Sequence, residues 1–507
     1  MGVIRTADTA RGDKARVGFA ERLDALTPEK RALLSDALRK RRSAGIPRRR
    51  DIGPAPLSFS QQRIWFLDQW DPGAPTWNGA RAMRMLGELD VDALQAAFEG
   101  VVERHESLRT VFPGEGREPR QVVLEDWAVR VPVVDLGDLP PDERERELPR
   151  LLREEARRTF DLRTDVTLRP TLFRLGSREH VLMIALHHIS FDASSDPVLN
   201  REVAELYGAF RAGRPPRLPE LPIQYADFAA WQRTRLQGEV LDDLVTYWRA
   251  QLAGVPARLR LPTDRARPAV QRHEGSHHYV SFDPALGRTL GELARAEGAT
   301  IFMAFLAAFD TLLYRFTGQE DILVGSPIAN RNHRELEGLI GFFSNTLVLR
   351  NRLGGNPSFR ELLRRVRENA VGAYAHQELP FEKLVETLRV PRDPSYNPLF
   401  QVNFRAQAAN AETLQLPGLT ATPIAVDLSF SRFDLALELQ VAKDALTGYF
   451  EYDVALLDLA TIERLAADFA ALLRELVRAP DAPILALGGA RSSGRAKTAG
   501  RIPRGTH

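Results

Sequence analysis

The spacing of apolar and polar residues along the chain predicts alternating helices and strands. Apolar residues that recur every three to four positions indicate helices with one buried face, and this spacing occurs at residues 91–105, 144–159, 301–315 and 358–374. Short, uninterrupted apolar runs are typical of strands buried on both faces, and they occur at residues 181–186 and 322–325. This alternation predicts an α/β protein built from α+β layers.

The N-terminal segment, residues 1–54, has a different pattern from the rest of the chain. Apolar residues on one side predict an amphipathic helix at about residues 23–42, with Thr27 as its N-cap. Gly45 and Pro47 end that helix, and an arginine-rich stretch follows. We expect this stretch to be a solvated basic linker.

Proline-rich and glycine-rich stretches divide the remaining chain. Residues 55–222 predict a first lobe, which ends at the proline-rich sequence 214–222. Residues 223–480 predict a second lobe with its own series of helices and strands. Residues 481–507 are basic and rich in Gly, Ser and Ala, so we expect a disordered tail.

Composition excludes several kinds of site. The 507 residues include no cysteine, so the chain has no disulfide, no thiolate nucleophile and no cysteine-ligated metal. Its 69 basic and 67 acidic residues leave a formal net charge of +2, which argues against a dedicated nucleic-acid binder. Neither a signal peptide nor an apolar stretch of about eighteen residues is present. We therefore expect a cytoplasmic monomer that binds neither nucleic acid nor membrane.

The strongest local signal for chemistry is the sequence HHISFD at residues 187–192, directly after the apolar run 181–186. Polar side chains at the end of a buried strand are well placed to form a site. Histidine, with an unperturbed pKa near 6.5, is the most frequent acid–base group in catalysis. Taken alone, the pattern fits a catalytic histidine and equally a buried histidine that is satisfied by the carboxylate of Asp192.

A second pair, His277 and His278, lacks both the preceding strand and the later aspartate. With His273 and Glu274 it forms the sequence HEGSH, which resembles a zinc-protease motif. That motif requires both histidines on one face of a continuous helix. The glycine and serine between them disfavour such a helix, so we expect no metal site.

Seven sequence motifs, the histidine motif among them, occur in a fixed order along the chain. They lie at residues 58–67, 104–112, 187–192, 225–231, 340–350, 376–382 and 392–399. Through them, residues 27–483 resemble the condensation domains of nonribosomal peptide synthetases, in the subtype that joins two L-configured units. The resemblance implies two chloramphenicol-acetyltransferase-like lobes in a V with a central active-site tunnel. Carrier proteins would dock at its two mouths and deliver substrates on phosphopantetheine, and the chain itself would bind no cofactor.

The resemblance also assigns roles to residues of these motifs. His188 is expected to be the catalytic histidine, and His187 to pack beside it. Asp192 is expected to be a structural carboxylate that pairs with Arg331. The candidates for the tunnel wall are Ala193, Ser326 and Asn345. Fold-holding roles are expected for Arg63, Arg109, Asp227 and Trp231.

The chain departs from the family pattern at a few positions. Ala193 and Ser194 stand where the family usually has glycine and often tryptophan, and this affects the acceptor side of the site. Ser344 replaces a usual valine and Tyr396 a usual arginine. We expect these last two changes to alter packing or docking and not the type of reaction.

The resemblance implies an acyltransferase that joins a carrier-bound acyl or aminoacyl thioester to an amine. Because adenylation, carrier and thioesterase regions are absent from the sequence, we expect a stand-alone enzyme that works in trans. The acceptor would be a second carrier's aminoacyl group or a free small-molecule amine or alcohol. Two alternatives stay open: an ester-forming or coenzyme A-dependent acyltransferase of the same fold, and a non-catalytic recruitment module.

Overall fold

A five-stranded and a six-stranded sheet, each packed against helices, form the body of the protein. The structure is a computed structural model. It describes residues 45–487 except for 52, 71–74, 115–117, 392, 409–413, 427–428 and 443. The predicted helix at 23–42 and residues 488–507 of the predicted tail lie outside the described residues.

The first half of the chain supplies most of the five-stranded sheet and the helices on it. Its elements are β1 (Ala55–Pro56), α1 (Phe59–Trp70), β2 (Asn78–Gly87), α2 (Val91–Arg104), β3 (Thr110–Val111), β4 (Arg120–Val123), β5 (Val133–Asp135), α3 (Pro141–Arg157), β6 (Leu168–Gly176), β7 (Glu179–His187) and α4 (Asp196–Arg211). The predicted strand at 181–186 is the buried centre of β7, which lies between β2 and β6.

The second half supplies the six-stranded sheet. Its elements are α5 (Tyr225–Arg235), α6 (Gly238–Gln251), β8 (Gly275–Phe282), α7 (Pro284–Ala296), α8 (Ile301–Thr317), β9 (Asp321–Ile328), β10 (Asn345–Arg352), α9 (Phe359–Ala375), α10 (Phe381–Leu388), β11 (Val402–Ala408), β12 (Leu419–Ile424), β13 (Leu435–Val441), β14 (Leu446–Asp453) and α11 (Leu459–Arg478). The sheet order is β10-β9-β11-β13-β14-β8, and β11 runs parallel to both of its neighbours.

Helix α8 begins at the residue that its sequence predicts and ends two residues later than predicted, at Thr317. The side chain of Thr300 accepts a hydrogen bond from the backbone N–H of Met303, which caps the first turn. Gly318 ends the helix at φ 72°, a left-handed conformation that favours glycine. Between these caps, most side chains of α8 are buried in the core of the second half.

The second half contributes to both the sheet and the core of the first half. Strand β12 pairs antiparallel with β2 and so completes the edge of the first half's sheet. Ile340, also from the second half, belongs to the apolar cluster that contains Leu182 and Ile184 of β7. The predicted boundary between the lobes at residue 222 stays a prediction. The pairing of β12 with β2 joins residues from the two sides of that boundary.

Parts of the predicted linker and tail are packed against the body. Ile46 is buried in a cluster with Tyr225 and Phe343, and the Arg49 side chain contacts the carboxylate of Asp227 at 3.3 Å. The expectation of a solvated linker therefore does not hold over these residues. At the other end Ile484 is fully buried, so the described residues 481–487 are ordered against the core.

Among the described residues, no single helix is both long enough and apolar enough to cross a membrane. Two consecutive helices, α7 and α8, meet that test only when taken together, and the chain bends by 106° between them.

A buried carboxyl in α8 gives a test of this packing. Asp310 is completely buried, its Oδ2 accepts a hydrogen bond from Asn351 at 2.7 Å, and its Oδ1 has no hydrogen-bond partner. Burial raises the pKa of Asp310 well above 3.8. The folded protein thus keeps a proton that the unfolded chain releases, and stability falls as the pH rises above 3.8 toward the folded pKa.

We expect Asp310→Asn, which mimics the neutral acid, to remove this loss of stability. The melting temperature of the variant minus that of the unsubstituted protein should be larger at pH 8 than at pH 5, as measured by calorimetry. The exposed Asp138→Asn is the control and should change little. An equal difference at both pH values for Asp310→Asn would show that the carboxyl is ionised in the folded state.

Candidate active site

Strand β7 delivers His187 to the interior of the first half. The side chain is buried, and its Nδ1 accepts a hydrogen bond from the backbone N–H of Ile189 at 3.2 Å. The ring of Phe160 packs edge-on against it at 6.0 Å between centroids. Burial, with a smaller contribution from Arg432, lowers the pKa of His187 to about 3. His187 is therefore a neutral packing residue.

His188 begins a short 3₁₀ turn, His188–Ser190, and remains partly accessible. Its Nδ1 lies 3.1 Å from the backbone oxygen of Phe191. Since a carbonyl can only accept, Nδ1 must carry the hydrogen, and Nε2 of the neutral ring keeps its lone pair. Burial, followed by the charge of Arg432, lowers the pKa of His188 well below 6.5. At neutral pH the ring can therefore accept a proton through Nε2.

The carboxylate of Asp192 collects hydrogen-bond donors from both halves of the chain. Its Oδ1 accepts from the backbone N–H and the hydroxyl of Ser195 at 3.0 and 2.9 Å. Its Oδ2 accepts from the backbone N–H groups of Phe343 and Ser344 at 2.9 and 3.0 Å. A buried carboxylate is stable only when it is satisfied in this way.

Arg331 completes the surroundings of this carboxylate. Its Nη2 lies 3.2 Å from Oδ1 of Asp192 and 2.8 Å from Oγ of Ser195. Its Nη1 donates to the backbone oxygen of Leu339 at 2.7 Å, and the guanidinium lies 4.4 Å from the ring centre of Phe343. The structure thus places Arg331 in the contact that the resemblance implies, with both side chains buried.

The segment around residue 341 can approach this closely because it carries a glycine. A Cβ at Gly341 would lie 2.1 Å from the ring of Tyr225. The hydroxyl of Tyr225 donates to the backbone oxygen of Phe342 at 2.6 Å. The ring of Phe342 then lies 6.1 Å from the imidazole of His188. The site is therefore built from both halves of the chain.

The residues expected at the tunnel wall differ in the exposure and the hydrogen bonding of their side chains. Ala193 is exposed, in the 3₁₀ turn that Asp192 caps. By contrast, Asn345 is buried and donates to the backbone oxygens of Gln377 and Leu379, while its own oxygen accepts from two backbone N–H groups. Ser326 is also buried and donates to the backbone oxygen of Phe404 at 2.9 Å. The polar groups of both residues are thus engaged within the protein.

The comparisons with known proteins agree with this architecture. The family model "Condensation domain" matches residues 52–492. The chain belongs to the condensation domain family. It is 44% identical over 472 residues to one of the linear gramicidin synthase proteins of Brevibacillus parabrevis. It is 41% identical over 478 residues to phosphinothricin tripeptide synthetase PhsC of Streptomyces viridochromogenes. The family that the seven sequence motifs indicated is therefore confirmed.

This condensation domain corresponds to only a part of those synthetases. The aligned region covers 93% of the chain but 6% of the gramicidin synthase protein, and 92% of the chain but 44% of PhsC. Solved structures match more evenly. The X-domain from teicoplanin biosynthesis is 31% identical with a TM-score of 0.79, over 88% of this chain and 99% of that one. SgcC5 from Streptomyces globisporus is 31% identical with a TM-score of 0.70, over 84% and 100%. The predicted fold class is confirmed.

Other motif residues of the condensation domain hold its parts together. Arg63 contacts Glu382 at 3.1 Å and so joins α1 to α10. Arg109 donates to the backbone oxygen of Leu124 at 2.6 Å. At the start of α5, the Asp227 carboxylate accepts from the backbone N–H groups of Gln224 and Arg49. The ring of Trp231 contacts that of His333 at 4.9 Å between centroids.

The HEGSH sequence does not form a helix. His277 lies in strand β8, where its Nε2 is 3.5 Å from a carboxylate oxygen of Glu451, and His273 precedes the strand at φ 58°. The two histidines therefore do not share a helical face. Within the described residues, no group of three or more His, Cys, Asp or Glu side chains could hold a metal ion.

Sequence reasoning missed Arg432. This residue lies just before β13, and its charge is the largest influence after burial on the pKa of His188. Its Nη2 donates to the backbone oxygen of Thr76 at 3.2 Å, 356 positions away. The adjacent contact of Arg267 with Asp434 shows that this short segment is rich in buried charge. The available signal was a basic residue between Phe430 and Phe433, just before a strand-like run.

We expect Asp192→Ala to destabilise the condensation domain more than His188→Ala does. Removal of the carboxylate leaves a buried guanidinium and several backbone N–H groups without an acceptor, at a cost of about 3–5 kcal/mol. His188→Ala removes a hydrogen bond to one backbone carbonyl and leaves no buried charge without a partner. Chemical denaturation of both variants measures the difference.

The surface pair of Asp135 and Arg174, 3.1 Å apart, provides the control for that comparison. Asp135→Ala breaks an exposed ion pair and should change stability little. Equal denaturation midpoints for Asp192→Ala and His188→Ala would contradict the bridging role of Asp192.

Proposed function

We propose that this condensation domain forms an amide bond between the acyl group of a carrier-bound thioester and an amine. The observation that supports it most directly is the state of His188. Its Nδ1–H is fixed by the carbonyl of Phe191, so a neutral Nε2 is left free at a partly accessible position. The similarity to peptide synthetases from two bacterial genera supports the same reaction class.

The proposed reaction follows from this arrangement. The neutral amine attacks the thioester carbonyl carbon, and the carbonyl π electrons move to oxygen. Nε2 of His188 accepts the proton that the amine nitrogen loses. The C–S bond then breaks with its electron pair on sulfur, and the sulfur takes the proton from the imidazolium. The products are the amide and the free thiol of the carrier's phosphopantetheine.

Most of the rate enhancement should come from positioning. A thioester is already activated, and an α-amino group with a pKa near 7.7–8.0 is about a tenth neutral at pH 7 without help. Holding the two partners in line can supply effective molarities of about 10⁵ M or more. His188 adds orientation of the amine and removal of its proton.

We expect His188→Ala to lower condensation by about 10²-fold or more while the protein stays folded. The assay combines the protein with a loaded donor carrier and an amine acceptor, followed by mass spectrometry of the intact carriers. His278→Ala removes one residue of the other histidine pair, on β8, and should retain activity. Near-normal turnover by His188→Ala would mean that proximity alone carries the reaction.

Ester formation with a hydroxyl acceptor is the second candidate. SgcC5, which is 31% identical to this chain, was solved in complex with a naphthyl ethanediol. Ala193 adds a methyl group where the family usually has glycine, and it is exposed next to Asp192. A narrower acceptor side would favour a slim free amine or alcohol over a carrier-bound aminoacyl group. The same assay distinguishes amide from ester by supplying acceptors of each kind.

A non-catalytic recruitment role is the third candidate. The X-domain from teicoplanin biosynthesis, 31% identical to this chain, was solved in complex with OxyB. The free Nε2 of His188 argues for chemistry instead. Absence of any product from every loaded donor and acceptor would favour recruitment.

We expect Ala193→Gly to raise turnover with a carrier-bound acceptor and to change turnover with a free nucleophile little. Displacement of an acceptor by about an ångström can cost roughly 10²-fold in rate, which sets the upper limit of the gain. Kinetics with both acceptor types measure it. If the unsubstituted protein already prefers the carrier-bound acceptor, the methyl group of Ala193 does not exclude that acceptor.

A further inference from the structure

Arg432 reaches the histidine motif from the second half of the chain. In the register of the five-stranded sheet, Asn78 of β2 is opposite His187 of β7. Thr76 and Trp77 continue the chain just before Asn78, so they lie next to the exit of β7, where His188 begins its turn. The guanidinium of Arg432 donates to the backbone oxygen of Thr76 at 3.2 Å. The sheet register therefore places this cation beside His188.

The guanidinium of Arg432 is held rigidly. It lies 5.0 Å from the ring centre of Trp77 and 5.9 Å from that of Phe430. Its backbone is fixed as well, because its N–H donates to a carboxylate oxygen of Glu451 at 3.3 Å and its carbonyl accepts from Asn397 at 2.6 Å. Donors that are fixed before reaction stabilise charge without reorganisation.

The same guanidinium keeps unused hydrogen-bonding capacity. Its Nε is buried and has no hydrogen-bond partner. No described carboxylate lies within ion-pair distance of it, whereas Arg405, which also acts electrostatically on His188, contacts Glu438 at 3.0 Å. The carboxylate of Glu451 acts on Arg432 electrostatically but forms no ion pair with its guanidinium. A partly buried cation without an ion-pair partner is costly, so its retention next to a reacting group indicates a role for its charge.

We propose that Arg432 stabilises the negative charge that develops on the carbonyl oxygen of the acyl substrate next to His188. This inference rests on the proposed acyl transfer. As the nucleophile adds, the carbonyl π electrons move to oxygen, and the N–H groups of Arg432 donate to that oxygen. The electrons return when the bond to sulfur breaks. Arg432 takes and gives no proton in these steps.

The electrostatics of the site agree with this role. The groups that act on His188 are the cations Arg432 and Arg405, the neutral His187 and the carbonyl of Phe191. Burial lowers the pKa of Arg432 only to about 10, so it stays charged at neutral pH. A positive charge that disfavours imidazolium at His188 favours an anion at the same place.

Two substitutions of Arg432 test the proposal. We expect R432M to lower kcat by about 10²–10³-fold with little change in KM, the range for loss of one oxyanion donor. R432K should recover part of that loss, because it keeps the charge but not the planar donor set. R235M is the control. Arg235 also forms a contact between segments distant in sequence, through Glu378 at 3.0 Å within the second half, and lies 5.7 Å from the ring centre of Trp231, yet its loss should leave kcat unchanged.

A second readout does not depend on substrate. Histidine-selective isotope labelling and NMR give the pKa of His188, assigned with a H188Q variant among the 10 histidines. R432M should raise that pKa toward 6.5, and R432K should not. A purely structural role for Arg432 would lower the melting temperature of both variants and leave the His188 titration in place.

The possible results separate this inference from the proposed function. Normal kcat in R432M, or equal losses in R432M and R432K with an unshifted His188 titration, would overturn the role of Arg432. If His188→Ala kept full activity while R432M shifted the His188 titration, the proposed role of His188 would be overturned. Arg432 would then affect the charge of His188 without a role in the reaction. Loss of kcat and a shifted titration in R432M, both repaired in part by R432K, would support the inference.

Discussion

The burial of one carboxylate, that of Asp192, is the constraint on which the site depends. A carboxylate inside a protein must be surrounded by donors, and most of its donors come from residues 331–344 of the second half. The turn that carries His188 ends at Ser190, two residues before this carboxylate. The histidine can therefore adopt its position only when the second half has docked. The contacts that position His188 are therefore the same contacts that hold the two halves together.

This constraint separates the motif residues into two groups. Asp192, Arg331 and Asn345 engage their polar groups with other parts of the protein. His188 and Arg432 differ. The Nε2 of His188 has no described partner, and the guanidinium of Arg432, unlike that of Arg331, forms no ion pair with a described carboxylate, although the Nε of both arginines lacks a hydrogen bond. A rigid framework with few free groups is the arrangement that electrostatic preorganisation requires. Similarity in sequence alone does not distinguish the two groups.

The sequence predicted what is local and missed what depends on distant contacts. The strand before the histidines and the helix at 301–315 follow from apolar periodicity, and the structure has them as β7 and α8. The contact of Asp192 with Arg331 came from family resemblance. Periodicity could not predict that β12 completes the sheet of the first half, or that Ile46 is buried in the predicted linker, because both depend on the surface they meet. Ser326 was expected at the tunnel wall, yet whether its hydroxyl faces a cavity or a carbonyl is decided by the neighbouring strand.

The low pKa of His188 fits a base that holds its proton only briefly. A base that is weak at neutral pH does not accumulate as imidazolium next to the cationic Arg432. On the proposed mechanism, it must pass the proton from the amine nitrogen to the departing sulfur. A thiol has an unperturbed pKa near 8.5, which is above that of His188, so this second transfer is downhill. The site therefore needs no external base to complete the cycle, and the charge of Arg432 assists both the anion on oxygen and the release of the proton from His188.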